Sequence, residues 1–138
     1  MKSVSAKLAK QKVERLEKIF GSAYSGVQAT CDFFFIQRNL VQKSLKGIFS
    51  REELIALCDM HNGTMFQPEM AQKAVLIATI EDAEMYEGTL SNHNVNKNEI
   101  IDKVETKMSD IFVFWMIFEI SQFWNEDKDL EEFVSRYL

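Results

Sequence analysis

The sequence predicts an all-α protein. Apolar residues recur at three- and four-residue spacing over most of its length, only five Gly and one Pro interrupt them, and no segment alternates apolar and polar residues long enough for a strand. The expectation is a compact bundle of six or seven helices around a central apolar one. At 138 residues a single domain spanning 1–138 is expected. Apolar residues make up 46% of the chain and charged ones 27%, with eleven Phe and two Trp, which supplies a core and excludes the composition of disorder.

Ala6, Ala9, Val13, Leu16 and Phe20 form one stripe on a first helix, residues 3–20, closed by Gly21. Its other face is nearly all Lys, Glu and Gln, so this basic helix could project as an arm. A second helix is expected over residues 22–46, where Ala23, Val27, Cys31, Phe34, Val41 and Leu45 keep the helical period and Gly47 ends it. The triplet Phe33, Phe34 and Phe35 covers more than one face of it. Ser50-Arg51-Glu52-Glu53 is a capping box with Phe49 placed to staple onto Leu54, and the helix it opens should end at Asn62-Gly63.

Pro68 suits the first position of a fourth helix running through Ala71, Ala74, Val75, Ala78 and Ile80 to a stop near Gly88. Residues 91–98, with four Asn, are expected to form a loop before Asn96 and Glu99 open the next helix. Ile100, Ile101, Val104 and Met108 give that helix one apolar face, and Ser109 caps its successor. From Ile111 to Trp124 the chain is apolar almost all round, as a central helix should be. A last helix begins at the acidic pair Glu126-Asp127 and buries Leu130, Phe133, Val134, Tyr137 and Leu138.

Net charge is −5, yet residues 1–18 carry six Lys or Arg against two Glu, a balance of +4 that leaves −9 for the rest. An acidic body argues against broad nucleic-acid contact, while the basic first helix keeps a nucleic-acid accessory role open. The turn from Asn62 to Gln67 is longer than a helix-turn-helix uses, and only Lys73 stands where a base reader would. Two cysteines and a start without an apolar run point to reducing cytoplasm. The Ile111–Trp124 segment has about fourteen residues where a bilayer span takes roughly 20, so no membrane is expected.

Cys31, Cys58, His61 and His93 are the candidate metal ligands, and Cys58 and His61 sit one helical turn apart. Paired-ligand knuckles are missing, so no metal and no cofactor are expected: both Cys are assigned to buried apolar positions, His61 to a helix end, and His93 to a polar loop. Glu119 stands alone in the apolar helix. It is assigned to the one face that reaches solvent, with a Lys partner or a catalytic role as alternatives.

Glu81, Glu84 and Glu87 recur every three residues, followed by Glu99 and Asp102. Glu81-x-x-Glu84 with Glu99-x-x-Asp102 resembles the Mg²⁺-binding signature of the all-α nucleoside triphosphate pyrophosphatases. That resemblance implies a hydrolase in which these four carboxylates hold Mg²⁺ against a phosphate chain. Only Lys97 and Lys103 lie nearby to help, and a solvated acidic face accounts for the same residues.

The segments FSREELIALCDMHNGT (49–64), IEDAEMYEG (80–88) and FEISQFW (118–124) together resemble small helical bacterial and prophage proteins. In those proteins a capped helix ending in Asn-Gly-Thr precedes a Glu-Asp-Ala helix and a terminal Phe-Trp helix. The Asn-rich stretch at 91–98 departs from that pattern. The resemblance implies a mobile-element origin and carries no activity with it.

Nine large rings, Phe33, Phe34, Phe35, Phe112, Phe114, Trp115, Phe118, Phe123 and Trp124, occupy too many helix faces for comfortable burial in one small monomer. The expectation is therefore a non-catalytic protein that acts by protein–protein interaction, as a homodimer or with a protein partner. Its interface would use Phe33, Phe34, Phe35, Trp115, Phe118 and Trp124. The competing expectation is a monomer with its apolar helix wrapped on every side.

Overall fold

The computed structural model describes residues 9–61, 65–125 and 130–138, without the side chains of 123–125. Of these residues 82% are helical and none is in a strand, which establishes the all-α class. Eight α-helices are present among the described residues, more than the six or seven expected. None of them is long and apolar enough to cross a membrane. The chain divides into two units, Met1–Leu40 and Val41–Leu138.

The first unit holds α1 (Lys10–Phe20) and most of α2 (Ala23–Leu45). Residues 1–8, where the first helix was expected to start, lie outside the described residues. Gly21 closes α1 in the left-handed conformation, and Ser22 Oγ accepts from Ser25 N at 3.1 Å to start α2. The two helices meet at Gly26. A Cβ there would lie 2.7 Å from Leu16 Cβ and 3.1 Å from Phe20 Cδ2, so the missing side chain is what lets α1 approach.

The second unit contains the end of α2, then α3 (Arg51–Met60), a 3₁₀ turn (Pro68–Met70), α4 (Lys73–Glu87), α5 (Thr89–Asn92), α6 (Lys97–Lys107), α7 (Asp110–Asn125) and α8 (Leu130–Tyr137). Its core is aliphatic: Leu54, Leu57, Leu76, Ile80, Leu90, Ile100, Val104, Val113, Met116 and Ile120 are all 2% exposed or less. Helix α4 packs against α3, α5, α6 and α7, while α8 closes on α3 and α7. The capping box of α3 forms as expected: Ser50 Oγ accepts from Glu53 N, and Glu53 Oε1 accepts from Ser50 N at 2.8 Å. The turn expected at Asn62-Gly63 and the acidic pair Glu126-Asp127 fall outside the described residues.

Three expectations need correction. Pro68 opens a separate 3₁₀ turn, and α4 starts only at Lys73, because Gln72 is extended and the helix is capped from elsewhere in the chain: Lys73 N donates to Asp110 Oδ1 at 2.8 Å. The stretch 91–98 is not one loop. Ser91 and Asn92 complete α5, where the Glu84 carboxylate accepts from both Ser91 N and Ser91 Oγ. Asn96 then caps α6 through Glu99 N, as expected.

Glu119 does not reach solvent. It is 2% exposed, and its carboxylate accepts from Gln42 Nε2 at 3.3 Å and from Arg136 Nη1 at 3.2 Å, so a cation and an amide answer the buried charge. Arg136 also reaches Glu132 on its own helix.

Two measurements test these constraints. Gly26→Ala should lower the thermal midpoint followed by circular dichroism, although Ala is favoured in a helix by about 1 kcal/mol, because the added carbon meets Leu16 at its stem rather than at a flexible tip; a midpoint at or above wild type would show that α1 can draw back freely. Arg136→Met should cost on the order of 3 kcal/mol in urea denaturation, with partial recovery when Glu119→Gln is added. Equal losses in the single and double variants would remove the pair from its structural role.

Candidate interaction surface

In α2 the apolar period continues past what one neighbour can cover. Phe33, Ile36 and Leu40 share one face at i, i+3 and i+7, and each is 60% exposed. Tyr24 and Phe35, 71% and 57% exposed, lie on the opposite face. Phe34, half-buried, follows the line of Val27 and Cys31, and its ring meets that of Phe35 edge-on with centroids 5.5 Å apart. Of the three rings singled out here, two are thus open to solvent and one is partly covered.

Beside that third face lies a groove of about 370 Å³ between α1 and α2. Its walls are Leu16, Ile19, Val27, Thr30 and Cys31, with Lys12 and Arg15 along the α1 edge. Cys31, expected to be buried, is exposed here, because the groove it lines is open to solvent. Sequence reasoning passed over Ile19, Tyr24, Ile36 and Leu40. The i, i+3, i+7 spacing of Phe33, Ile36 and Leu40 is the signal in the sequence that marks this face.

The aromatic residues of α7 behave differently. Trp115 is buried, whereas Phe112, Phe114 and Phe118 are half-buried. Phe66, which the periodicity did not single out, sets its ring edge-on to Phe114 and Phe118 at 5.4 and 5.5 Å, and Trp115 packs against both as well. This cluster draws Trp115 inward, away from the surface it was assigned to, and covers part of Phe118; the Trp124 side chain lies outside the described residues.

The remaining candidates are dispersed. Glu81 and Asp102 are exposed, Glu84 is held by Ser91, and Glu99 lines a polar cleft of about 400 Å³ with Glu52, Glu53, Asn94, Asn96 and Lys103. In that cleft Lys103 pairs with Glu53. The Ser91 bonds pull the Glu84 pKa below the usual carboxylate range. Among the described residues no group of three or more His, Cys, Asp or Glu is placed to hold a metal ion, these four carboxylates included.

Cys58 and His61 are both buried, and burial pushes the Cys58 thiol up to about 12. His61 Nδ1 lies 2.8 Å from the Leu57 carbonyl, consistent with a neutral ring that donates there, and desolvation holds its pKa down against that bond. His93 Nε2 pairs with Asp59 at 2.9 Å. A histidine whose folded pKa is below its unfolded value of about 6.5 contributes stability that is fully present above that value and is lost as the pH falls toward the folded pKa. Thermal midpoints should therefore fall between about pH 7 and pH 5, before ordinary carboxylates titrate. In His61→Gln that slope should flatten, and an unchanged slope would place its source elsewhere.

No protein family model, curated protein or solved structure matches this chain.

Proposed function

We propose that the chain is a non-catalytic helical protein that works in the cytoplasm by protein–protein contact through the apolar surface of α1 and α2. The observation that supports this most is the cluster of Tyr24, Phe33, Phe35, Ile36 and Leu40, each more than half exposed on a single helix. Large rings left in water on opposite faces of one helix cost the free chain solvation free energy that a partner recovers. Aromatic residues on a preformed helix are also suited to an interface, since little conformational freedom is lost when they are covered.

In this proposal the chain is an accessory or regulatory protein of a phage or other mobile element, as the resemblance of segments 49–64, 80–88 and 118–124 implies. It needs no cofactor. Neither Cys31 nor Cys58 is in a disulfide, which fits a reducing compartment.

The test uses the full chain and the triple variant Phe33→Ser, Phe35→Ser and Ile36→Ser, with circular dichroism to establish that the variant keeps its helices. Wild type should either self-associate in light scattering across a concentration series or retain a stoichiometric protein partner in affinity capture from its host. The variant should lose whichever association is seen. A wild type that does neither, or a folded variant that behaves identically, overturns the proposal.

A further inference from the structure

The groove between α1 and α2 is apolar at its base and basic at its edge. Leu16, Ile19 and Val27 line it, and the exposed side chains of Lys12 and Arg15 stand along α1. Residues 1–40 as a whole carry seven Lys or Arg against three acids, a balance of +4, whereas residues 41–138 carry −9. An occupant of matching chemistry is an exposed helix face with apolar side chains and acidic flanks.

The chain itself contains such a face. Helix α4 buries Leu76 and Ile80 on one side, and on the other exposes Ala74, Ala78, Glu81, Asp82, Met85 and Tyr86. Met85 is 69% and Tyr86 77% exposed, and the acids lie one turn before them on the same arc. The two alanines are small enough for another helix to come close, while Met85 is an adaptable filler for an irregular groove. An exposed face this apolar is uncommon on a helix already anchored through its opposite side.

Resting on the protein-contact function proposed above, we infer that the groove of one copy takes the exposed α4 face of a second copy. Met85 and Tyr86 enter between Leu16, Ile19 and Val27, while Glu81 and Asp82 face Lys12 and Arg15. A second copy is favoured over a foreign protein because groove and ridge are supplied by one chain in equal number with opposite charge. It is favoured over a nucleic acid because the groove base is apolar.

Charge reversal tests this on the full chain, since Lys12, Arg15, Glu81 and Asp82 are all exposed and tolerate substitution without loss of fold. Sedimentation velocity should show concentration-dependent association of wild type that weakens as salt is raised. Lys12→Glu with Arg15→Glu should weaken it about tenfold or more, and so should Glu81→Lys with Asp82→Lys. Mixing the two variants should restore it, because each then offers the other an opposite charge.

Failure of the mixture to associate overturns the inference, as does a wild type that stays monomeric at every concentration. Sedimentation of a monomer with phosphatidylglycerol vesicles would overturn it in favour of a lipid surface. Association that ignores the charge reversals but disappears in the Phe33, Phe35, Ile36 variant, or capture of a foreign partner by a monomer, overturns this pairing and leaves the broader proposal standing.

Discussion

A carboxylate in the most apolar of the described helices has to be answered, and the answer ties three helices together. Glu119 is 2% exposed, so its charge persists only if donors replace the water it has lost. Gln42 brings the end of α2 to it, and Arg136 brings α8. The same two elements are joined again where Gly47 N donates to the Tyr137 carbonyl at 2.7 Å, and Arg51 on α3 pairs with Glu131 on α8. A short eight-residue helix with little stability of its own is held by these contacts as well as by burial of Phe133, Val134 and Tyr137.

The other polar contacts of this unit do comparable work at helix ends, where backbone groups lack partners. Asp110 at the head of α7 supplies the cap that α4 lacks locally. Lys73, the first residue of α4, returns an ammonium donor to the Glu105 carbonyl near the end of α6 at 2.7 Å. Glu84 holds the start of the next turn through Ser91. Two of the charged groups that look available for chemistry in a linear reading, Glu84 and Lys103, are therefore occupied in holding the backbone or a buried acid. Among the described residues the carboxylates of the Glu-rich helices give no converging cation site.

Apolar surface is divided unequally. The rings of α7 find Phe66 and one another, and the aliphatic core closes around Leu57, Ile80 and Ile120. In α2 the apolar residues continue on three faces, and α1 offers only Leu16, Ile19 and Phe20 against one of them. A helix that is apolar all round is suited to burial from every side. Here the described chain leaves two sides of it exposed, and that excess is what the proposed interaction surface rests on.

The sequence by itself determined the helical class, most helix boundaries and the caps that are local. The Ser50–Glu53 box, Asn96 with Glu99 and the glycine stops at Gly21, Gly47 and Gly88 need only neighbours within a few residues, so their physics is written in short spacing. The run of three Phe also marked Phe33 and Phe35, although not whether they would be covered. Tertiary structure alone decided the rest, since it brings together groups far apart in the chain: Asp110 as the cap of α4, Gln42 and Arg136 around Glu119, Phe66 over Phe114 and Phe118, and Gly26 under Leu16. Periodicity reports which face of a helix is apolar. What lies against that face depends on partners across the fold, and so it is the packing that separates the buried Trp115 from the exposed Phe33.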